Sequence, residues 1–145
     1  FRLCSRTFVA VYGRLPLLGE LRCAVAVMQR GNTVLLQDRS DGCGWSFPGG
    51  MAWFWEQPEQ TMRRELLEET GMKVETCRLL FSYSCRKPIW HRIYVFSAEA
   101  HGEPRPSWEG ASSWQYLNHL PAPFFVPHLP ILSRLRDPRS PLPPE

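Results

Sequence analysis

Glu65, Glu68 and Glu69, set at i, i+3 and i+4 between Pro58 and Thr70, constrain this chain more than any other feature. The segment reads as a helix. Pro58 suits its first turn, good helix formers follow, and Gly71 stands where a C-cap glycine belongs. At about 100° per residue the three carboxylates share one arc of roughly 100°. Like charges so placed repel, by on the order of a few tenths of a kcal/mol for an i, i+4 pair. Met62 and Leu66 occupy the neighbouring arc, so the acidic stripe borders the buried face. Partly buried, convergent carboxylates need a cation, and their hard oxygens suit Mg²⁺ or Mn²⁺ rather than zinc. Standing alone, the same triplet also reads as a solvated acidic helix face, because glutamate is a good helix former. Its surroundings decide between the two.

On the N-terminal side, Leu21 to Met28 is an apolar run of strand formers. Arg30-Gly31-Asn32 supplies a turn and Thr33 to Leu36 resumes the run, which predicts a β-hairpin. Residues 8–18 read as a short helix or strand. A polar loop, Asp38 to Gly44, leads to Trp45-Ser46-Phe47-Pro48-Gly49-Gly50. Beyond the helix, Lys73 to Tyr83 and Trp90 to Ala98 are strand candidates, and Gly102, Pro104, Pro106 and Gly110 mark a loop. Trp114 to Leu117 reads as a short strand and Pro127 to Arg136 as a last helix. The tail DPRSPLPPE reads as disordered or extended. There is no internal repeat, and the pattern alone gives α+β or α/β.

The 145 residues suit one domain with a sizeable core. A net charge of +3, without any cluster of lysine and arginine, suits anionic metabolites and argues against a nucleic-acid binder. Five dispersed cysteines with no C-x-x-C pair argue against a disulfide framework or a cysteine zinc site, and suggest reduced thiols in the cytoplasm. His91, His101, His119 and His128 lack zinc-ligand spacing. No apolar run has the roughly 18 to 20 residues a membrane span requires. Near the start, Arg6 and Arg14 flank an apolar run too short for a targeting segment, and Phe1 in place of Met suggests a trimmed or partial gene product.

The segment GMAWFWEQPEQTMRRELLEETGM, Gly50 to Met72, resembles the Nudix box, G-x5-E-x7-R-E-U-x-E-E-x-G-U with U apolar. Gly50 opens it and Glu56 follows. Then come Arg64, Glu65 and Leu66, Glu68 and Glu69, and finally Gly71 and Met72. Seven fixed identities match by chance on the order of once in 10⁹ starting points. The resemblance extends to Trp45, Pro48 and Gly49 before the box and to Gly102, Glu109 and Trp114 after it, covering roughly residues 21–135. It implies one domain with an α/β/α sandwich around a mixed β-sheet. Residues 1–20 would then be an N-terminal extension, 21–136 the Nudix hydrolase domain, and 137–145 a Pro-rich tail.

By that resemblance, Glu65, Glu68 and Glu69 would bind the metal, with the main-chain carbonyl of Gly50 as a further ligand. Glu56 and Arg64 would brace the loop against the helix. The cofactor implied is Mg²⁺, with Mn²⁺ as a substitute. The reaction implied is attack of water on a diphosphate linkage in a nucleoside diphosphate derivative or nucleoside triphosphate. Glu65 or Glu109 would take the proton, ahead of Glu103 and Glu99. The family commonly places a glycine and an acidic residue near the box glutamate, where this chain has Trp53, Phe54 and Trp55. One or two of these are expected in the core; otherwise they could stack a base, cover an apolar substrate group or make a protein contact. Arg39 and Trp53 are candidate substrate contacts. Arg86, Lys87 and Arg92 could reach phosphate but read first as ordinary surface cations, and Trp45 and Trp114 read as packing residues. The partner implied is a small nucleotide-like molecule, with no nucleic acid and no membrane, for a monomer or homodimer. The rival reading is a ligand-sensing or protein-binding domain that keeps the fold without turnover.

Overall fold

The computed structural model describes residues 20–86 and 89–143. The expected element at 8–18, and Lys87, lie outside the described residues. In chain order the elements are β1 (Leu21–Val27), β2 (Gln29–Arg30), β3 (Thr33–Arg39), β4 (Trp45–Ser46), β5 (Gly49–Met51), α1 (Pro58–Thr70), β6 (Val74–Cys85), β7 (His91–Ala100) and β8 (Gly110–Tyr116). A 3₁₀ turn, Val126–His128, then leads into α2 (Leu129–Arg136).

One sheet has the order β5-β1-β7-β6, with β1 parallel to β7 and the other pairs antiparallel. The other has the order β2-β3-β4, with β8 also against β3. Alternation along β1 divides the core. Ala24 and Ala26 face the cluster that receives Met62 and Leu66 of α1, whereas Val25 and Val27 face the cluster that receives Ile131 and Leu132 of α2. The sheets therefore lie between two helices, the layered α/β arrangement that the resemblance implied.

The expected hairpin is only partly present. Arg30 pairs with Thr33 around Gly31, which adopts φ +55°, but β1 pairs along its length with β7, and over Cys23, Ala24 and Val25 with β5, in the other sheet. An apolar run buried on both faces suits a strand inside a mixed sheet, and local pattern does not name its partners. The helix expected from Pro58 to Thr70 has those bounds, and Gly71 closes it at φ +73°. In the tail, the Ser140 hydroxyl donates to the Ser133 carbonyl (3.2 Å) and Leu142 packs on the α2 side of the core. Among the described residues no helix is long and apolar enough to cross a membrane. What positions the site is β5: Gly50 pairs with Ala24 of β1, and the Ala26 N–H donates to the Pro48 carbonyl (2.9 Å), which holds this segment beside α1.

Candidate metal centre

Glu65 and Glu69 lie one turn apart on α1, about 40° apart around its axis, on the side that also carries Met62 and Leu66. Both are buried. The turn before β8 brings in Glu109, and one oxygen from each of the three carboxylates lies within 4.8 Å of the others. That turn is tied by the Glu109 N–H to Ser107 Oγ (3.2 Å) and by the Ser40 N–H to the Glu109 carbonyl (2.9 Å). From β5, the Gly49 N–H donates to Glu69 Oε2 (2.8 Å). Gly50 lies so close to Glu65 that a β-carbon there would stand 2.5 Å from its carboxyl carbon. Only glycine allows this approach.

Arg64 braces the arrangement. Its Nε and Nη2 donate to the two oxygens of Glu56 (2.7 and 3.0 Å), Nη1 donates to Glu65 (2.7 Å), and Nη2 donates to the Met51 carbonyl (3.0 Å). Glu56 also accepts from the Trp53 N–H and the Thr61 hydroxyl, both at 3.0 Å. The Arg64 guanidinium, helped by those donors, holds the Glu56 carboxyl down to about 2. The predicted Glu56–Arg64 pair is thus in place as a two-pronged ion pair.

The cluster itself behaves oppositely. Burial pushes Glu65 up to about 7 although Arg64 pulls the other way, and burial together with the charge of Glu65 raises Glu69 well above the usual carboxylate range. Two of the three carboxylates are buried and the third is half-buried, with a guanidinium on Glu65 alone, so their full ionisation is disfavoured. Such a group holds protons or a cation. An all-oxygen donor set fits a hard divalent ion such as Mg²⁺ or Mn²⁺.

Other candidates fall elsewhere. Glu68 is half-exposed outside the trio, and accepts from Arg64 Nη1 (3.2 Å). Glu103 is engaged by Arg30 (2.6 Å) and the Trp114 indole N–H (3.1 Å), and Glu99 accepts from Thr76 (2.8 Å). Arg39 is paired with Asp41 through Nε (3.0 Å) and lies 4.4 Å over the Phe125 ring, within electrostatic range of Glu69. Arg92 pairs with Glu20 (3.0 Å) and Arg86 is exposed. Trp45 and Trp114 pack at the edges of the two core clusters.

The expectation that one or two of Trp53, Phe54 and Trp55 enter the core is not met: all three are exposed, Phe54 at 87%. The Glu56–Arg64 pair and the Met51 carbonyl occupy the inner side of their loop. Trp53 and Trp55 stack on each other instead, with centroids 5.6 Å apart, and the Arg64 guanidinium lies 5.9 Å from the Trp53 ring centre. Sequence reasoning missed the Gly49 N–H and also His128, a buried ring whose Nδ1 accepts from the Phe47 N–H (3.1 Å). The Gly49-Gly50 doublet was the available signal for the first; His128 carried none.

The sequence pattern of the NUDIX domain matches residues 20–135. The chain is 33% identical over 108 residues, 70% of this chain and 69% of the relative, to the oxidized purine nucleoside triphosphate hydrolase of Mus musculus. It is 32% identical over 109 residues, with the same shares, to the protein of that name from Danio rerio. The MutT NUDIX hydrolase from Burkholderia pseudomallei superposes with a TM-score of 0.73 at 25% identity, covering 81% of this chain and 98% of that one.

Proposed function

The chain belongs to the NUDIX domain family, and on that footing we propose that it is a Mg²⁺-dependent hydrolase cleaving a diphosphate linkage in a nucleoside triphosphate or a nucleoside diphosphate derivative. The observation that carries this reading is the convergence of buried Glu65 and Glu69 with half-buried Glu109, three carboxylates of which Arg64 pairs with Glu65 alone. These three, with the Gly50 carbonyl, would hold the ion. Glu68 would join from the rim by turning away from Arg64. A divalent ion held there supplies charge neutralisation on the phosphates and acidifies bound water.

The residues divide the remaining work. The Gly49 N–H fixes one oxygen of Glu69, leaving the other free to face the cluster. Arg64 and Glu56 hold the loop after β5 against α1, so that Gly50 stays in contact with Glu65. A carboxylate takes the proton as the water oxygen bonds to phosphorus and the bridging P–O bond breaks. Glu65, buried beside the ion site, is the first candidate for this task; Glu109, on its separate turn, is the second. Arg39 is near enough to Glu69 to meet a phosphate, and the exposed face of Trp53 offers a stacking surface beside Arg64.

The named relatives make oxidised purine triphosphates the first substrates to try. The thiols of Cys23, Cys43, Cys77 and Cys85 are free, which suits the cytoplasm. The test is a panel of nucleoside triphosphates, oxidised and normal, and nucleoside diphosphate derivatives, incubated with Mg²⁺ or Mn²⁺ and resolved by chromatography. Hydrolysis of at least one, abolished by chelation, is expected. No product from any substrate with either ion rejects the reading.

A further inference from the structure

Gln37, Ser46 and Ser112 stand side by side on three neighbouring strands. Gln37 of β3 is the register partner of Ser46 on β4 and of Ser112 on β8, so all three side chains project to the same face. Gln37 and Ser46 are 3% and 1% exposed. Yet Gln37 Nε2, Ser46 Oγ and Ser112 Oγ are enclosed and have no hydrogen-bond partner in the protein. A folded chain rarely leaves one such group unpaired, and three adjoining ones define a polar site. Each is small and able to donate, and both hydroxyls also accept. Water, with two hydrogens and two lone pairs, matches that set.

The row also connects the segment that fixes Glu69 with the segment that carries Glu109. β4 runs through Phe47 and Pro48 into Gly49, whose N–H binds Glu69. β8 begins at Gly110, immediately after Glu109. Gly110 pairs with Arg39 and lies against the Asp38 carbonyl, with Gln37 Cγ next nearest at 3.3 Å from where a β-carbon would stand, so the stretch of β3 that carries Gln37 lies under the base of the Glu109 turn. We propose that Gln37, Ser46 and Ser112 enclose at least one ordered water, and that this polar seam positions the Glu109 turn against the Gly49 segment. It thereby sets the spacing of Glu109 and Glu69. Gln37 is a positioning residue, acting on the ion through Glu109 and Glu69 without touching it. The inference takes the carboxylate trio as the metal centre proposed above.

A high-resolution crystal structure of the protein and calorimetric titration with Mn²⁺ test it. Water within hydrogen-bond reach of Gln37 Nε2 and of at least one serine hydroxyl is expected. Gln37→Met, which keeps volume and removes the amide, is expected to weaken Mn²⁺ binding about 10-fold, the usual consequence of losing an outer support of a metal ligand. Ser112→Ala, a milder change that leaves Gln37 in place, is expected to weaken it in the same direction. A dry seam overturns the proposal. So does native Mn²⁺ affinity in both variants, even with a lowered melting temperature, since that leaves the row only a structural role. Failure to hydrolyse any nucleotide would reject the proposed function while leaving both of these readouts intact.

Discussion

Glu68 and Glu69 are adjacent in the chain and opposite in surroundings. One is half in solvent beside Arg64; the other is buried, fixed by the Gly49 N–H and crowded by Glu65 and Glu109. Glu69→Gln keeps the shape but removes a charge the cluster needs. Turnover is therefore expected to fall at least about 100-fold, and Glu68→Gln to cost less, roughly 10-fold or more. Steady-state kinetics at saturating metal compares the two, and equal losses would place Glu68 inside the trio. Helical periodicity put both glutamates on one arc and could not rank them. The ranking comes from β5 and the Glu109 turn, which cover one side of that arc and leave the other open. Glu109 itself was only a candidate among loop carboxylates. Glu103 and Glu99 were separated from it by Arg30 and Thr76, contacts that no spacing reveals.

At the scale of elements, the site is an agreement between α1 and β5, and Gly50 is where they touch. A methyl group there would meet the far end of the Glu65 side chain rather than backbone. Gly50→Ala is accordingly expected to keep the fold by circular dichroism, while displacing the Glu65 carboxylate and abolishing the rise in melting temperature expected of the native protein with Mg²⁺. A native Mg²⁺ response in this variant would separate Gly50 from the metal centre. The bounds of α1 were legible because Pro58 and Gly71 act locally on the backbone. The pairing of β1 was not, because its partners β5 and β7 lie far along the chain and an apolar run pairs with either sheet equally well. The exposed Trp53–Trp55 stack was misjudged for a similar reason: hydrophobicity favours burial, but the ion pair beneath the loop takes the space.

Over the whole molecule, two sets of titrating groups oppose each other. Burial takes the ring of His128 down to about 3 from an ordinary 6.5, and Arg64 takes Glu56 down to about 2 from 4.5. In each case the unfolded chain binds more protons within that window, so stability falls as pH drops below about 6.5 for His128 and below about 4.5 for Glu56. Glu65 is raised instead, to about 7, and Glu69 moves the same way, so the metal-free folded chain takes up their protons first; for Glu65 this adds stability as pH falls from about 7 toward 4.5. A bound cation competes with those protons. The Mg²⁺-induced increase in melting temperature is therefore expected to shrink between about pH 8 and about pH 5, and a pH-independent increase would count against the trio as ligands. The layered fold and the acidic helix were readable from periodicity and the box residues. The long-range contacts that bury His128 against Phe47 were not. The most direct test of the central claim is anomalous diffraction from a crystal soaked in Mn²⁺: a peak is expected among Glu65, Glu69 and Glu109, whereas three carboxylates turned apart with no peak between them would contradict it.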